Sequence, residues 1–140
     1  MMQLSKIRIF LFFLTCVSLF TFLQCSKTDS DTATPCGRIF FVYDSQACEC
    51  VRKQSETILH QIDSLRAVNV SIDHYFTYQR IDWANEREAA NTILDRCNDP
   101  LIPVVLIENP QEQTVFNFSY EFDPMLFHQI VKSLKEAKSK

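Results

Sequence analysis

The sequence predicts an α/β domain of order β-α-β-α-β-β-α, a four-stranded mixed sheet with helices on both faces. Three observations lead there. Two short β-branched and aromatic runs, 39–43 (IFFVY) and 103–107 (PVVLI), carry no charge and read as buried central strands. Between and after them lie segments whose apolar residues recur at helical spacing. Near the end, an alternating apolar run follows a turn signal, as in a hairpin.

The elements follow in order. Residues 39–43 form the first strand and 44–47 a short loop. From 50 to 66, Val51, Ile58, Leu59, Ile62 and Leu65 recur without Pro or Gly between them, which predicts an amphipathic helix. A second strand is expected within 72–82, where Tyr75, Phe76, Tyr78 and Ile81 cluster. Residues 84–97 (ANEREAANTILDRC) have high helix propensity and open on acidic residues, as the helix dipole favours. Asn98, Asp99 and Pro100 end that helix. Residues 103–107 are the third strand. Asn109-Pro110 starts a turn, and over 114–120 Phe116, Phe118 and Tyr120 alternate with Asn117 and Ser119, a half-exposed strand closing a hairpin. Asp123 before Pro124 is an N-cap and first-turn pair. Leu126, Phe127, Ile130, Val131 and Leu134 then mark a last helix that ends in lysines. A right-handed crossover makes the first two strands parallel neighbours, and the hairpin adds two more.

Composition narrows the function. The chain is 46% apolar and 22% charged, too apolar for a disordered segment. Its formal charge is −3 and it has no long basic run, so nucleic acid is not an expected partner. Gly37 is the only glycine, which excludes glycine-rich linkers and phosphate loops. Six cysteines remain to be sorted.

Lys6 and Arg8 are the only charges in the first 26 residues. The run 9–23 is rich in Leu and Phe, including Phe10, Phe12, Phe13, Phe20 and Phe22. A short basic segment before such a run reads as an export signal; a permanent membrane span, which needs about 20 apolar residues, is marginal. The junction Phe22-Leu23-Gln24-Cys25-Ser26 resembles the cleavage box of bacterial lipoproteins, although Phe22 and Gln24 depart from its usual leucine and small residue. That resemblance implies an export signal over 1–24, lipidation of Cys25, and a polar tether over 25–37 carrying a domain at 38–140. It implies a membrane-anchored lipoprotein facing the periplasm or the cell surface. An ordinary cleaved signal or an uncleaved anchor are the alternatives. Cys16 lies inside the apolar run and would be discarded. An exported domain can form disulfides, and Cys36, Cys48, Cys50 and Cys97 remain in it.

A cysteine pair where the first strand gives way to the first helix, and Ile102-Pro103 directly ahead of the third strand, join the order of elements. Together they resemble the thioredoxin superfamily, from Arg38 to the C-terminus. The resemblance implies a thiol–disulfide oxidoreductase in which Cys48 is the attacking nucleophile and Cys50 the resolving thiol. Ile102 and Pro103 would form the cis-proline loop that shapes a groove for the substrate backbone. The implied partners are protein thiols or disulfides of the cell envelope, with the membrane engaged through the lipid anchor; no cofactor is implied. The sequence also departs from the family. Cys48-Glu49-Cys50 is one residue shorter than Cys-x-x-Cys, Ala47 replaces the usual aromatic residue, and Val42 stands near the position of the family's buried acid. A true thioredoxin is therefore excluded, and a divergent relative is expected.

The chemistry of the pair has a physical basis beside that resemblance. A helix N-terminus stabilises a thiolate and lowers its pKa from about 8.5. Arg52 and Lys53, within the next turn, act in the same sense, and Glu49 opposes them. A Cys48–Cys50 disulfide would close a smaller ring than Cys-x-x-Cys, with poorer access to the preferred dihedral of about 90°. That makes it easier to reduce and the pair comparatively oxidising. Two other uses stay open. The two thiolates suit a soft metal, copper(I) or zinc, and Cys97, six residues ahead of Pro103, is placed to complete a closed zinc set. Cys36 belongs at the opposite pole, and His60, His74 and His128 show no ligand spacing. Alternatively the domain binds another protein without catalysis, with the Phe-rich strand 114–120 as an aromatic face. Core packing is the default for that strand, and Tyr78 and Trp83 are expected to pack at a strand end.

Overall fold

A computed structural model of the chain describes residues 35–69 and 71–139. The export signal over 1–24, Cys16, Cys25 and the tether up to 34 lie outside the described residues. The described elements are β1 (Gly37–Tyr43), α1 (Glu49–Val68), α2 (Ser71–Tyr75), β2 (Phe76–Asp82), α3 (Arg87–Leu94), β3 (Val104–Glu108), β4 (Thr114–Ser119) and α4 (Pro124–Lys138). The sheet order is β2-β1-β3-β4. β1 runs parallel to β2 and antiparallel to β3, and β3 pairs antiparallel with β4. The α/β class and the four-stranded mixed sheet are as the sequence predicts, and the arrangement is compatible with a thioredoxin-like fold. No helix among the described residues is long and apolar enough to cross a membrane.

The alternation of side chains along β1 explains why the sheet needs helices on both faces. Ile39 and Phe41 pack with Ile58 and Ile62 of α1 and with Phe127 and Val131 of α4. Phe40 and Val42 point the other way, onto Ala90 and Ile93 of α3. A strand buried on both sides can carry no charged face, which is why it reads as an unbroken apolar run. Each such buried Val, Ile or Phe side chain contributes about 1.5–3 kcal/mol of burial free energy. α4 starts as its sequence indicates, with the Asp123 carboxylate accepting from the N–H groups of Met125 (2.8 Å) and Leu126 (3.1 Å).

Several boundaries differ from the periodicity. The folded unit begins before residue 38: Cys36 is 2% exposed within the core, and Gly37 opens β1. Gly37 is there because the carbonyl oxygen of Glu108 and the ring of Phe76 occupy the space a Cβ would need. The helix expected over 84–97 contracts to Arg87–Leu94 because Asp82 draws the preceding residues into a turn, its carbonyl accepting from Asn85 (3.0 Å) and Glu86 (2.7 Å). Tyr78 lies in the middle of β2 opposite Ile39, under the guanidinium of Arg66, rather than at a strand end. Trp83 directly follows β2 and packs on the α3 side.

β3 extends one residue further than its apolar run, to Glu108, which is fully buried. Its carboxylate accepts from Arg38 at 3.1 and 2.6 Å and from Arg96 at 2.6 Å. Both guanidinium groups lie over the ring of Phe40, at 5.5 and 5.7 Å. A carboxylate removed from water is tolerated only when paired this fully. The cluster closes the end of the sheet where β1 begins and β3 finishes.

Candidate active site

The opposite end of the sheet carries the cysteines. β1 leaves the sheet at Tyr43, and residues 44–47 turn the chain into α1. The Asp44 carboxylate accepts from the Gln46 N–H (2.9 Å), which tightens that turn. Asp82, at the end of the neighbouring strand β2, ties the loop down. Its oxygens accept from the N–H of Ser45 (3.0 Å), the hydroxyl of Ser45 (2.6 Å), the N–H of Ala84 (3.2 Å) and the amide of Asn85 (2.5 Å). At 7% exposure, burial disfavours its charge, yet these donors outweigh burial and hold its pKa below the usual carboxylate range.

This clamp sets where α1 begins. Cys48 occupies the N-cap position and Cys50 the second residue of the helix, and both are exposed. Among the described residues no side chain caps this helix start, so its first N–H groups remain available to a charge on sulfur. The two Sγ atoms lie 2.7 Å apart as free thiols. The Cys48–Cys50 hydrogen bond holds the Cys48 pKa below its ordinary value, helped by the backbone N–H of Val51 against the cost of desolvation. The same hydrogen bond pushes the Cys50 pKa up, reinforced by desolvation and by the neighbouring Cys48 charge. The two thiols thus titrate as a pair, Cys48 shifted down and Cys50 shifted up. Lys53 is drawn to Glu49 at 2.7 Å, so the two charges flanking the pair largely offset one another.

Ile102 and Pro103 lie at the same end of the sheet, because β1 and β3 are antiparallel and Val42 pairs with Val104. The Ile102–Pro103 peptide is cis. Pro103 is buried, while Ile102 is partly exposed on the α3 side. A hydrogen-bond chain links this segment to the cysteine helix. The Pro103 carbonyl accepts from the N–H of Tyr120 (2.7 Å), and the Tyr120 carbonyl accepts from the Gln54 amide (2.9 Å). Tyr120 leaves β4 with φ of 62°, a left-handed conformation that these two bonds support. The predicted aromatic face of 114–120 is split accordingly: Phe118 is buried, whereas Phe116 and Tyr120 are exposed.

The other two cysteines do not join the site. Cys36 belongs to the core under α1 and α4, and Cys97 packs on the opposite face of the sheet. They cannot pair with each other within the domain. Cys97 follows α3 on the chain segment that holds Arg96 against Glu108, at the far end of the sheet from Cys48. The expectation that it approaches the pair is therefore wrong; the short span to Pro103 is used to cross the sheet end to end. Burial pushes its pKa up to about 11, and it donates weakly to the Ile93 carbonyl (3.5 Å). Among the described residues no group of three or more His, Cys, Asp or Glu side chains converges to hold a metal ion.

Sequence reasoning missed Asp82, Gln54 and Tyr120. The only signal for Asp82 was an acidic residue directly after Ile81 at the end of the expected strand. Gln54 and Tyr120 carried none, since their roles depend on contacts 66 residues apart. No protein-family model matches the chain, and no curated protein matches it.

Proposed function

We propose that this chain is an exported, lipid-anchored member of the thioredoxin superfamily that exchanges thiols and disulfides through Cys48 and Cys50. The observation that carries the reading is the exposed, mutually hydrogen-bonded thiol pair at an uncapped helix start, with Cys48 depressed and Cys50 raised in pKa. The element order and the position of Ile102-Pro103 at the same end of the sheet support it. In the reductive direction the Cys48 thiolate attacks a substrate disulfide, whose S–S bond breaks as one sulfur leaves and takes a proton from water. Cys50 then gives up its proton and attacks Cys48 Sγ. The second substrate thiolate departs and is protonated. The protein dithiol is oxidised by two electrons and the substrate disulfide is reduced; the oxidative direction is the reverse.

Replacing the resolving thiol tests this. Cys50→Ser should accumulate mixed disulfides through Cys48 with proteins of the cell envelope, identified by mass spectrometry; a Cys48→Ser, Cys50→Ser double variant should yield none. Equal yields from the two proteins would remove the assignment. The anchor is tested separately by the intact mass of the membrane-extracted protein, which should correspond to a chain starting at Cys25 with acyl chains attached. A mature protein without acyl mass would overturn that part alone.

A further inference from the structure

A cleft of about 280 Å³ lies beside the cysteine helix, between α1 and the β1–β2 side of the sheet. Its apolar lining comes from Phe41, Tyr43 and Leu59, and its polar lining includes Arg52, Ser55 and Glu56. The helix residues lining it are 52, 55, 56 and 59, and Cys48 stands four residues ahead of the first, so the cleft continues the stripe that Cys48 heads. At the small end of the ligand-pocket range, it is too small for a nucleotide cofactor and suits one large apolar side chain. The charges around it are unequal in availability. Arg80 is held by Asp63 at 2.7 Å, and Asp44 by the Gln46 N–H of its own loop. Arg52 and Glu56 are exposed and have no ion-pair partner among the described residues. Arg52 stands nearer Cys48, and Glu56 lies one turn further along the helix.

We propose that this cleft is a specificity subsite for a polypeptide substrate, taking an apolar side chain near the substrate cysteine while Arg52 pairs with an acidic residue between the two. The inference rests on the exchange reading above and adds which polypeptides are preferred. The charge order follows from the helix: the free cation is on the cysteine side of the cleft and the free anion on its far side. A segment with the opposite order meets like charge at both places.

The test uses reduced protein and blocked pentapeptides presented as mixed disulfides with 2-mercaptoethanol: Ala-Phe-Asp-Cys-Ala, Ala-Phe-Lys-Cys-Ala and Ala-Ser-Asp-Cys-Ala. Rates are read as ratios within each protein variant, so that any effect on Cys48 itself cancels. The aspartate peptide should react about fivefold faster than the lysine peptide at low salt, as a partly exposed ion pair allows. The ratio should collapse toward unity in about 1 M salt, where the Debye length is about 3 Å. In Arg52→Glu the ratio should invert, and the serine peptide should lose rate relative to the phenylalanine peptide in the native protein. A peptide ratio unmoved by Arg52→Glu, or equal rates for the serine and phenylalanine peptides, overturns the subsite. Bis(2-hydroxyethyl) disulfide, which carries no side chain or charge, separates the two levels: no reaction with it at all overturns the exchange chemistry instead.

Discussion

At Cys48 and Cys50 one hydrogen bond does two opposite things. It stabilises charge on the N-cap sulfur and withholds it from the sulfur two residues later. The consequence is measurable as a pH profile. A thiolate forms as pH rises through the thiol's pKa, so alkylation of Cys48 by iodoacetamide should have its midpoint below the free-cysteine value of about 8.5. Cys50→Ala removes the hydrogen bond and should move that midpoint upward. Cys97, with its pKa pushed up to about 11, should remain unmodified in the folded protein across the same range. Mass mapping of the alkylated residues checks all three, and an unmoved midpoint in Cys50→Ala would mean that the helix start alone sets the Cys48 pKa. The contrast between Cys48 and Cys97 also shows why residue type is a poor guide to reactivity. Both are cysteines next to arginine in sequence or one turn away, and their surroundings push them in opposite directions.

The elements around the pair are joined by side chains rather than by the sheet ladder. Asp82 is the joint between β2 and the loop that delivers α1. Replacing it with Ala removes its bonds to Ser45, Ala84 and Asn85, and should cost about 1.5–3 kcal/mol, the usual net contribution of hydrogen bonds to a charged group. The sign of its pH dependence follows from its depressed pKa. Its contribution is complete above the unfolded value of about 3.9 and is lost as pH falls through that value toward the lower folded one. Urea titrations of Asp82→Ala should therefore show a smaller loss of stability below about pH 4 than the native protein shows. If exchange through Cys48 is faster or unchanged in this variant, the clamp does not position the helix start.

Across the described domain, the exposed thiol pair and the buried ion-pair cluster sit at opposite ends of one sheet. The end near Pro103 carries exposed thiols and an open cleft; the end near Gly37 is closed by a buried carboxylate between two arginines. Glu108→Gln keeps the shape but removes the charge that Arg38 and Arg96 converge on. Because both arginines reach water, the cost should be about 2–3 kcal/mol, below that of stranding a fully buried ion. A shifted urea midpoint with the Cys48 alkylation profile unchanged would show that the two ends act independently. Strong loss at both would show that they are coupled through β1 and β3.

The four strands and the three longer helices were legible because periodicity is local, whereas the short helix Ser71–Tyr75 falls where only a strand was expected: the middles of β1 and β3 are buried on both faces and so are apolar, and α1 and α4 must be apolar on one stripe. The N-cap of α4 at Asp123 was legible for the same reason, since donor and acceptor lie within three residues. The position of Cys48 and Cys50 at a helix start, and the reason Gly37 is the lone glycine, stand differently. The first is visible in the local pattern, although Asp82 secures it from 37 residues away, whereas the second depends on Glu108, brought alongside only by the antiparallel pairing of β1 and β3. Tertiary structure also decided the fate of the spare thiols, placing Cys36 and Cys97 on opposite faces of the sheet. It decided the polar groups as well. Glu108 looks like the end of an apolar strand and Asp82 like the start of a loop until distant arginines and a distant serine meet them. Burial of a charge is determined by partners far away in sequence, and no local spacing records which residues those are.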